Sequence, residues 1–210
     1  METKTEHLQY NTMTLNGQGH VTTNPNIVVI RLGVQTTGDD IEDIQQENAR
    51  LSENVIQALS DLGITNIRTY QYVIDKNYVF ENGISTEKGY FVRNIFEIQI
   101  SDLDNVGLVI DTAINGGANV VDFISFEVDD PSGFYQQALN LAIMDAMHKA
   151  ISISRPLKTP FEPIPIRIVE NSLAPISRSR QYSLREIAAT TPIEPGVKQI
   201  DAFVTVEFIF

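Results

Sequence analysis

The 210 residues carry 15 Lys/Arg against 27 Asp/Glu, a formal charge of −12, with 42% hydrophobic and 20% charged residues. That mix suits a folded protein with a sizeable core, and so acidic a chain lacks the basic footprint with which nucleic-acid binders neutralise phosphates. With no cysteine in the chain, disulfides, thiolate metal sites and cysteine nucleophiles are excluded. The segment Met1–His7 has neither a basic n-region nor an apolar h-region, and no apolar run approaches the roughly 20 residues of a membrane span. As it stands, the sequence reads as soluble and cytoplasmic.

In chain order, residues 1–9 read as disordered, and a first strand pair follows at Tyr10–Val21 and Ile27–Thr36. Gly17 and Gly19 interrupt the first of these, where glycine marks a bulge or a close backbone approach. In the second, Val28, Ile30, Leu32 and Val34 alternate with Val29, Arg31 and Gly33, so one face is apolar. A helix is predicted over Asp40–Leu62, with Asp39 and Glu42 as a capping box and Gly63 as the stop. Ile41, Ile44, Leu51, Val55, Ala58, Leu59 and Leu62 form its apolar stripe, and its outer face is acidic.

Two long β-runs, Asn66–Phe80 and the segment carrying Val92, Phe96, Ile98 and Ile100, are joined by Gly-containing turns and read as a hairpin. Helix two, Asp104–Asn115, is expected to be capped by Asp102 or Asp104 and to stop at Gly116-Gly117 before the strand Val120–Val128. Helix three starts at Asp130-Pro131, an Asp cap with Pro at the first helical position, and reaches about Ile153. Ala138, Ala142, Ala146 and Ala150 recur every fourth residue, which lets a helix lie close to its neighbour.

From Ile153 the texture changes, and seven of the nine prolines fall in the remainder. Ile164, Ile166 and Ile168 around Pro165 suggest an edge strand. Residues 171–190 read as a mobile loop, and Ile200–Phe210 alternate as a core strand whose truncation would unfold the protein. Between Arg155 and Glu186 the charge is locally +3, so residues 155–199 form a basic, proline-rich arm within a single domain spanning 10–210.

The order helix, Gly, strand occurs twice around the hairpin. This predicts an α+β fold: a βαββαβ antiparallel sheet of ferredoxin-like order with helices on one face. An N-terminal strand, a third long helix and C-terminal strands extend it.

Several motifs carry a family resemblance. They are Gly17-Gln18-Gly19 with Pro25 and Arg31-Leu32-Gly33-Val34, Leu62-Gly63-Ile64, Gly89-Tyr90, and Gly107–Asp111 with Ala113 and Gly117-Ala118-Asn119. Ile124-Ser125-Phe126 and Pro192–Gly196 complete the set. Together these residues, over about 11–210, resemble the SIMPL-domain family, a bacterial and animal group of periplasmic-antigen-like and kinase-associated signalling proteins whose molecular function is largely undefined. The resemblance implies stress- or envelope-related roles, and export is the alternative location if a leader was removed. Where the family continues helix three into Leu-Gly, this chain has Ile151–Pro156, so the helix is expected to stop sooner. The matching residues serve backbone shape, and the resemblance supplies no catalytic group.

Nor do the residues themselves offer a catalytic, cofactor or metal constellation. Gly17-Gln18-Gly19 lacks the third glycine and the lysine of a phosphate loop, and His7, His20 and His148 have no ligand spacing. Asp102/Asp104 and Asp129/Asp130 precede helices and read as caps rather than Ca²⁺ ligands. What remains is an interaction surface. Tyr70, Tyr72, Tyr78 and Phe80 lie on the hairpin, and Arg178, Arg180 and Arg185 lie on the arm. The expectation is a non-catalytic interaction module that forms a homo-oligomer or meets a protein partner, without cofactors. The alternative is a small-molecule or hydrolytic site under the 171–199 loop, using Arg178, Arg180 and Tyr182.

Overall fold

The computed structural model describes residues 11–81, 83–158, 162–171, 177–179 and 195–210. The expected disorder of 1–9 and most of the 171–190 loop therefore lie outside the described residues. Contacts divide the chain into two compact units, with boundaries at Asn24/Pro25 and Asp129/Asp130.

The second unit, Pro25–Asp129 with Gln181–Gly196, holds the predicted βαββαβ core within its first segment. Strand β2 (Ile27–Gly38) leads to helix α1 (Ile41–Asp61), strands β3 (Ile67–Glu81) and β4 (Ile84–Ile100), helix α2 (Val106–Asn115) and strand β5 (Val120–Glu127). Its sheet runs β3-β4-β2-β5 with every pairing antiparallel, the ferredoxin-like order. Val28, Ile30, Leu32 and Val34 of β2 and Phe96, Ile98 and Ile100 of β4 are buried together with Val55, Leu59, Val106, Val109, Ile110 and Ala113 of the two helices. Strict alternation thus sends one apolar face of the sheet to the helices.

The α1 stripe differs from the apolar one expected. Ile44, Asn48, Ser52, Val55 and Leu59 are the buried residues, whereas Ile41 and Leu62 are exposed. Asn48 is tolerated because its Nδ2 donates to Val34 O and Val92 O, both at 3.1 Å, and so satisfies the buried amide from both central strands. The cap is Asp40, one residue later than Asp39: its Oδ1 accepts from Glu42 N (2.8 Å) and Asp43 N (3.2 Å). Helix α2 starts two residues later than expected, at Val106, without a side-chain cap. Asp102 accepts from Asn105 Nδ2 at 2.7 Å instead.

The first unit joins both ends of the chain. It holds β1 (Thr12–Thr23), α3 (Ser132–Leu157), β6 (Ile164–Glu170), β7 (Ser177–Ser179) and β8 (Lys198–Ile209). β8 is central, pairing with β1 on one side and with β6 and β7 on the other, all antiparallel. The expected pairing of the first two strands is therefore corrected: β1 pairs with β8, and β2 pairs with β4 and β5. Adjacent alternating runs need not pair when each finds a better-matched apolar face elsewhere. The terminal and N-terminal strands accordingly build a second sheet instead of widening the first.

Alternation again sorts the faces. Ala202, Val204, Val206 and Phe208 of β8 are buried against Ala138, Ala142, Ala146 and Ala150 of α3. The helix lies so close to β1 that a Cβ on Gly17 would sit 2.0 Å from Ala142 O, and one on Gly19 would sit 2.1 Å from Ala138 O. Both the alanine spacing and the two glycines thus have the close-approach role read from the sequence. At its start the helix has Pro131 in the cap position, and Asp130 Oδ1 accepts from Ser132 N at 3.0 Å. At its end it outruns the expected stop. Pro156 is accommodated in the last turn, and Lys158 at φ 51° terminates the helix. Strand β6 is an edge strand as expected, exposed throughout, with a register shift between Pro165 and Arg167.

The glycine contact gives a paired prediction. Gly19→Ala should lower the unfolding free energy by about 2–3 kcal/mol or more, because its new methyl meets helix backbone that cannot yield. Gly133→Ala, on α3 with open space around it, should be neutral or stabilising by up to about 1 kcal/mol. Denaturant midpoints of the two variants measure the difference.

Candidate interaction surface

Strand β3 forms one edge of its sheet, and it carries the aromatic residues singled out in the sequence. Tyr70, Tyr72 and Tyr78 are about half exposed and Phe80 is 76% exposed, so none of the four is a core residue. Ile74, at 39% exposure, adds to the same strand. Pairing between β2 and β4 ends at Gly38↔Tyr90, whereas β3 and β4 continue paired to Glu81↔Ile84. The stretch beyond Tyr90 is therefore a two-stranded ribbon, with Gly83 at φ 80° in its turn and Lys76 Nζ bonded to Glu87 Oε2 at 2.9 Å. Ribbons of two strands are marginal on their own, so exposed Tyr78 and Phe80 are poorly supported from within the unit.

At its other end β3 meets a charged row that crosses the sheet on the face away from α1 and α2. Arg68 of β3, Glu97 of β4, Arg31 of β2 and Phe123 of β5 are consecutive cross-strand partners. Glu97 is buried, with Arg31 Nε at 2.7 Å from its Oε2 and Arg68 bonded to its Oε1. A register shift between Thr69 and Gln71 releases Tyr70 from the ladder, and its ring centroid lies 3.7 Å from the Arg31 guanidinium. The Phe123 centroid lies 5.0 Å from the same guanidinium, so Arg31 is held between two rings. Below the row, Arg93 bonds to Gln35 Oε1 at 3.1 Å and to Asp122.

The sequence marks none of Arg31, Arg68, Glu97 and Phe123 as a site residue, and Arg31 enters it only through its strand and the family motif. The signal was an arginine inside Val28–Val34 and a glutamate inside Phe96–Ile98, each on the polar side of an alternating strand. What joins them is a register between distant segments, which one strand's pattern does not contain.

The hydrogen bond from Arg68, then that from Arg31, holds the Glu97 carboxyl below its ordinary value of 4.5, against a smaller opposing effect of burial. The Arg31 guanidinium is correspondingly held more firmly protonated, chiefly by Glu97. On α1, Arg50 is bonded to Glu47 and holds that carboxyl low, leaving the rest of the helix's outer face acidic.

The arm residues fare differently. Arg178 lies on β7 with its backbone opposite Gln199, while Arg180, Tyr182 and Arg185 lie outside the described residues. Among the described residues, no group of three His, Asp or Glu side chains is arranged to hold a metal ion. No helix among them is long and apolar enough to cross a membrane.

Glu97 yields a pH prediction. A carboxyl whose folded pKa is depressed contributes stability above its unfolded value, and that contribution is lost as pH falls through the folded value. Glu97→Gln should thus lower the melting temperature by several degrees at pH 7. The gap from the parent should narrow as pH falls below the ordinary carboxylate value of 4.5 and vanish only below the depressed folded value, where both chains lack the charge. Melting curves from pH 3 to pH 8 measure it, and a gap constant with pH would show that charge is not what Glu97 supplies.

Comparison with known proteins adds a context to this geometry. A family model described as a protein of unknown function, SIMPL (DUF541), matches residues 13–208. The 26 kDa periplasmic immunogenic protein of Brucella melitensis is 25% identical over 150 residues, covering 67% of this chain and 59% of the relative. Its namesake in Brucella abortus gives the same figures, so the chain spans about three fifths of the length of those curated relatives. The uncharacterized protein YggE of Escherichia coli K12 is 24% identical over 204 residues, covering 92% of this chain and 80% of the relative. With the motifs, the ferredoxin-like core and the family match in agreement over nearly its full length, the chain belongs to the SIMPL (DUF541) family.

Proposed function

We propose that this protein is a non-catalytic, self-assembling interaction module, and that strand β3 with its protruding ribbon is its principal contact surface. The observation that supports this is the row of exposed large side chains on one edge strand: Tyr70, Tyr72, Ile74, Tyr78 and Phe80. Contiguous exposed aromatics are enriched in the desolvated centres of interfaces and are unfavourable in water. The occupant we favour is a second copy of the chain. The basic segment between Arg155 and Glu186 and the acidic outer face of α1 offer opposite charges on one molecule, so copies can attract one another. Arg155, Lys158 and Arg167 of that segment are exposed and available for such a contact.

The location of the Brucella relatives, periplasmic by name, favours an exported, envelope-related setting for this chain over the cytoplasmic one. In that setting, self-assembly suits a structural or adaptor role.

Light scattering at low and moderate salt tests the proposal. The parent should have a mass above that of the 23.5 kDa monomer, with assembly weakening as salt screens the arm. Phe80→Lys and Tyr78→Lys, both on exposed positions that leave the core untouched, should weaken association by about tenfold or more. A strictly monomeric parent at both salt concentrations would sink the reading.

A further inference from the structure

The two long helices of this chain treat their outer faces differently. Helix α1 carries six Asp, Glu, Lys or Arg side chains in its 21 residues, all of them exposed. Helix α3 carries only three in 26: Asp145, Lys149 and Arg155. The first two are turned onto β1. Lys149 Nζ donates to Asp145 Oδ2 at 2.7 Å and to Asn16 O at 3.0 Å, and Asp145 Oδ2 accepts from Gln18 N at 2.9 Å. What α3 presents outward is apolar instead, with Leu141 44% exposed, Met144 51% and Met147 39%. A surface helix ordinarily keeps its charged residues on the face opposite its buried stripe.

The spacing of this face is that of a helix-pairing seam. Gln137, Leu141, Met144, His148, Ile151 and Arg155 follow one another at intervals of four and three, so they form one stripe along α3. At 3.6 residues per turn, the stripe stands roughly 160° around the helix from the buried alanines 138, 142, 146 and 150. It also reads the same in both directions, because 137 and 155, 141 and 151, and 144 and 148 are each symmetric about Ala146. A two-fold interface needs this property, since it brings one patch against itself, residue i meeting j and j meeting i. Two copies laid antiparallel across Ala146 would set Leu141 against the partner's Ile151. Met144 would meet the partner's His148, and Gln137 the partner's Arg155.

Charge selects this arrangement over others. Copies that each carry a net charge of −12 repel one another, so they meet most readily through a face free of acids. The stripe is such a face, whereas the outer side of α1 is not. A parallel pair would put Arg155 against its own copy and align the two helix dipoles, and the antiparallel pair avoids both. A strongly charged partner of another kind would find no countercharge between Gln137 and Ile151.

We infer that α3 is a two-fold interface between copies of this chain, an antiparallel helix pair centred on Ala146. It lies on the first unit, so it is separate from the β3 contact and does not rest on it. One helix pair is small beside the roughly 1,200–2,000 Å² of stable complexes, so this dimer is weak.

A chain without cysteine is suited to disulfide trapping, which reads the register directly. Met144→Cys and His148→Cys are made separately and mixed in a glutathione redox buffer. Their mixed disulfide should form at least about tenfold faster than that of Met144→Cys with Glu53→Cys, on the exposed face of α1. Leu141→Cys mixed with Met144→Cys lies about 10 Å out of register and should be as slow as that control. Independently, Phe80→Lys removes the β3 contact, and sedimentation equilibrium of that chain at up to about 1 mM should still show a dimer. Adding Met144→Glu should weaken that dimer by about tenfold or more. Met144 is exposed, and an unchanged far-ultraviolet dichroism spectrum confirms that the variant folds. A Phe80→Lys chain that stays monomeric throughout, a dimer indifferent to Met144→Glu, or equal trapping in and out of register would each overturn the inference.

Discussion

The first unit depends on one contact, the passage of α3 over two glycines of β1. With carbonyls of the helix only about 2 Å from where side-chain carbons would stand, no residue but glycine fits at 17 or 19. The alanines at 138, 142, 146 and 150 are the reciprocal condition, since any larger side chain would lift the helix off the sheet. This closeness lets Asp145 and Lys149 reach past the strand and bond Gln18 N and Asn16 O. Those side chains take the place of a missing neighbouring strand on an edge that would otherwise invite pairing.

The second unit shows a different solution. Its sheet is packed on one side by two helices, and the opposite side is covered by a layer of charge and aromatic rings. A buried glutamate is costly unless paired, and here two arginines share it while two rings flank one of them. The bulge at Tyr70 matters because it turns the ring off the ladder and onto Arg31. The same strand that contributes this packing presents Tyr78 and Phe80 farther along, where no third strand supports it.

Much of this was legible in the sequence, because the signals were local. The ferredoxin-like core follows from helix-glycine-strand punctuation at Gly63 and Gly116-Gly117, and the edge character of β6 follows from Pro165. The close helix approach was readable from Gly17, Gly19 and the alanine spacing. What could not be read was partnership at a distance. Adjacent β1 and β2 looked like a pair, yet their partners lie far along the chain. Helix caps missed by a residue or two, because neighbouring acids compete for one role: Asp40 displaced Asp39, and Asp102 turned to Asn105. The buried Asn48 is absent from the apolar stripe read in the sequence, since the carbonyls that satisfy it belong to other elements.

The placement of β8 bears on how the polypeptide acquires its shape. The core between Pro25 and Asp129 is built from consecutive segments, so it has every piece it needs before β8 emerges from the ribosome. β1 emerges first but has no strand to join until Lys198–Ile209 arrives, so the glycine-rich segment must wait through nearly all of synthesis. During that interval its edge lacks the strand that will cover it, which leaves the early polypeptide vulnerable where the finished molecule lays a helix directly on strand backbone.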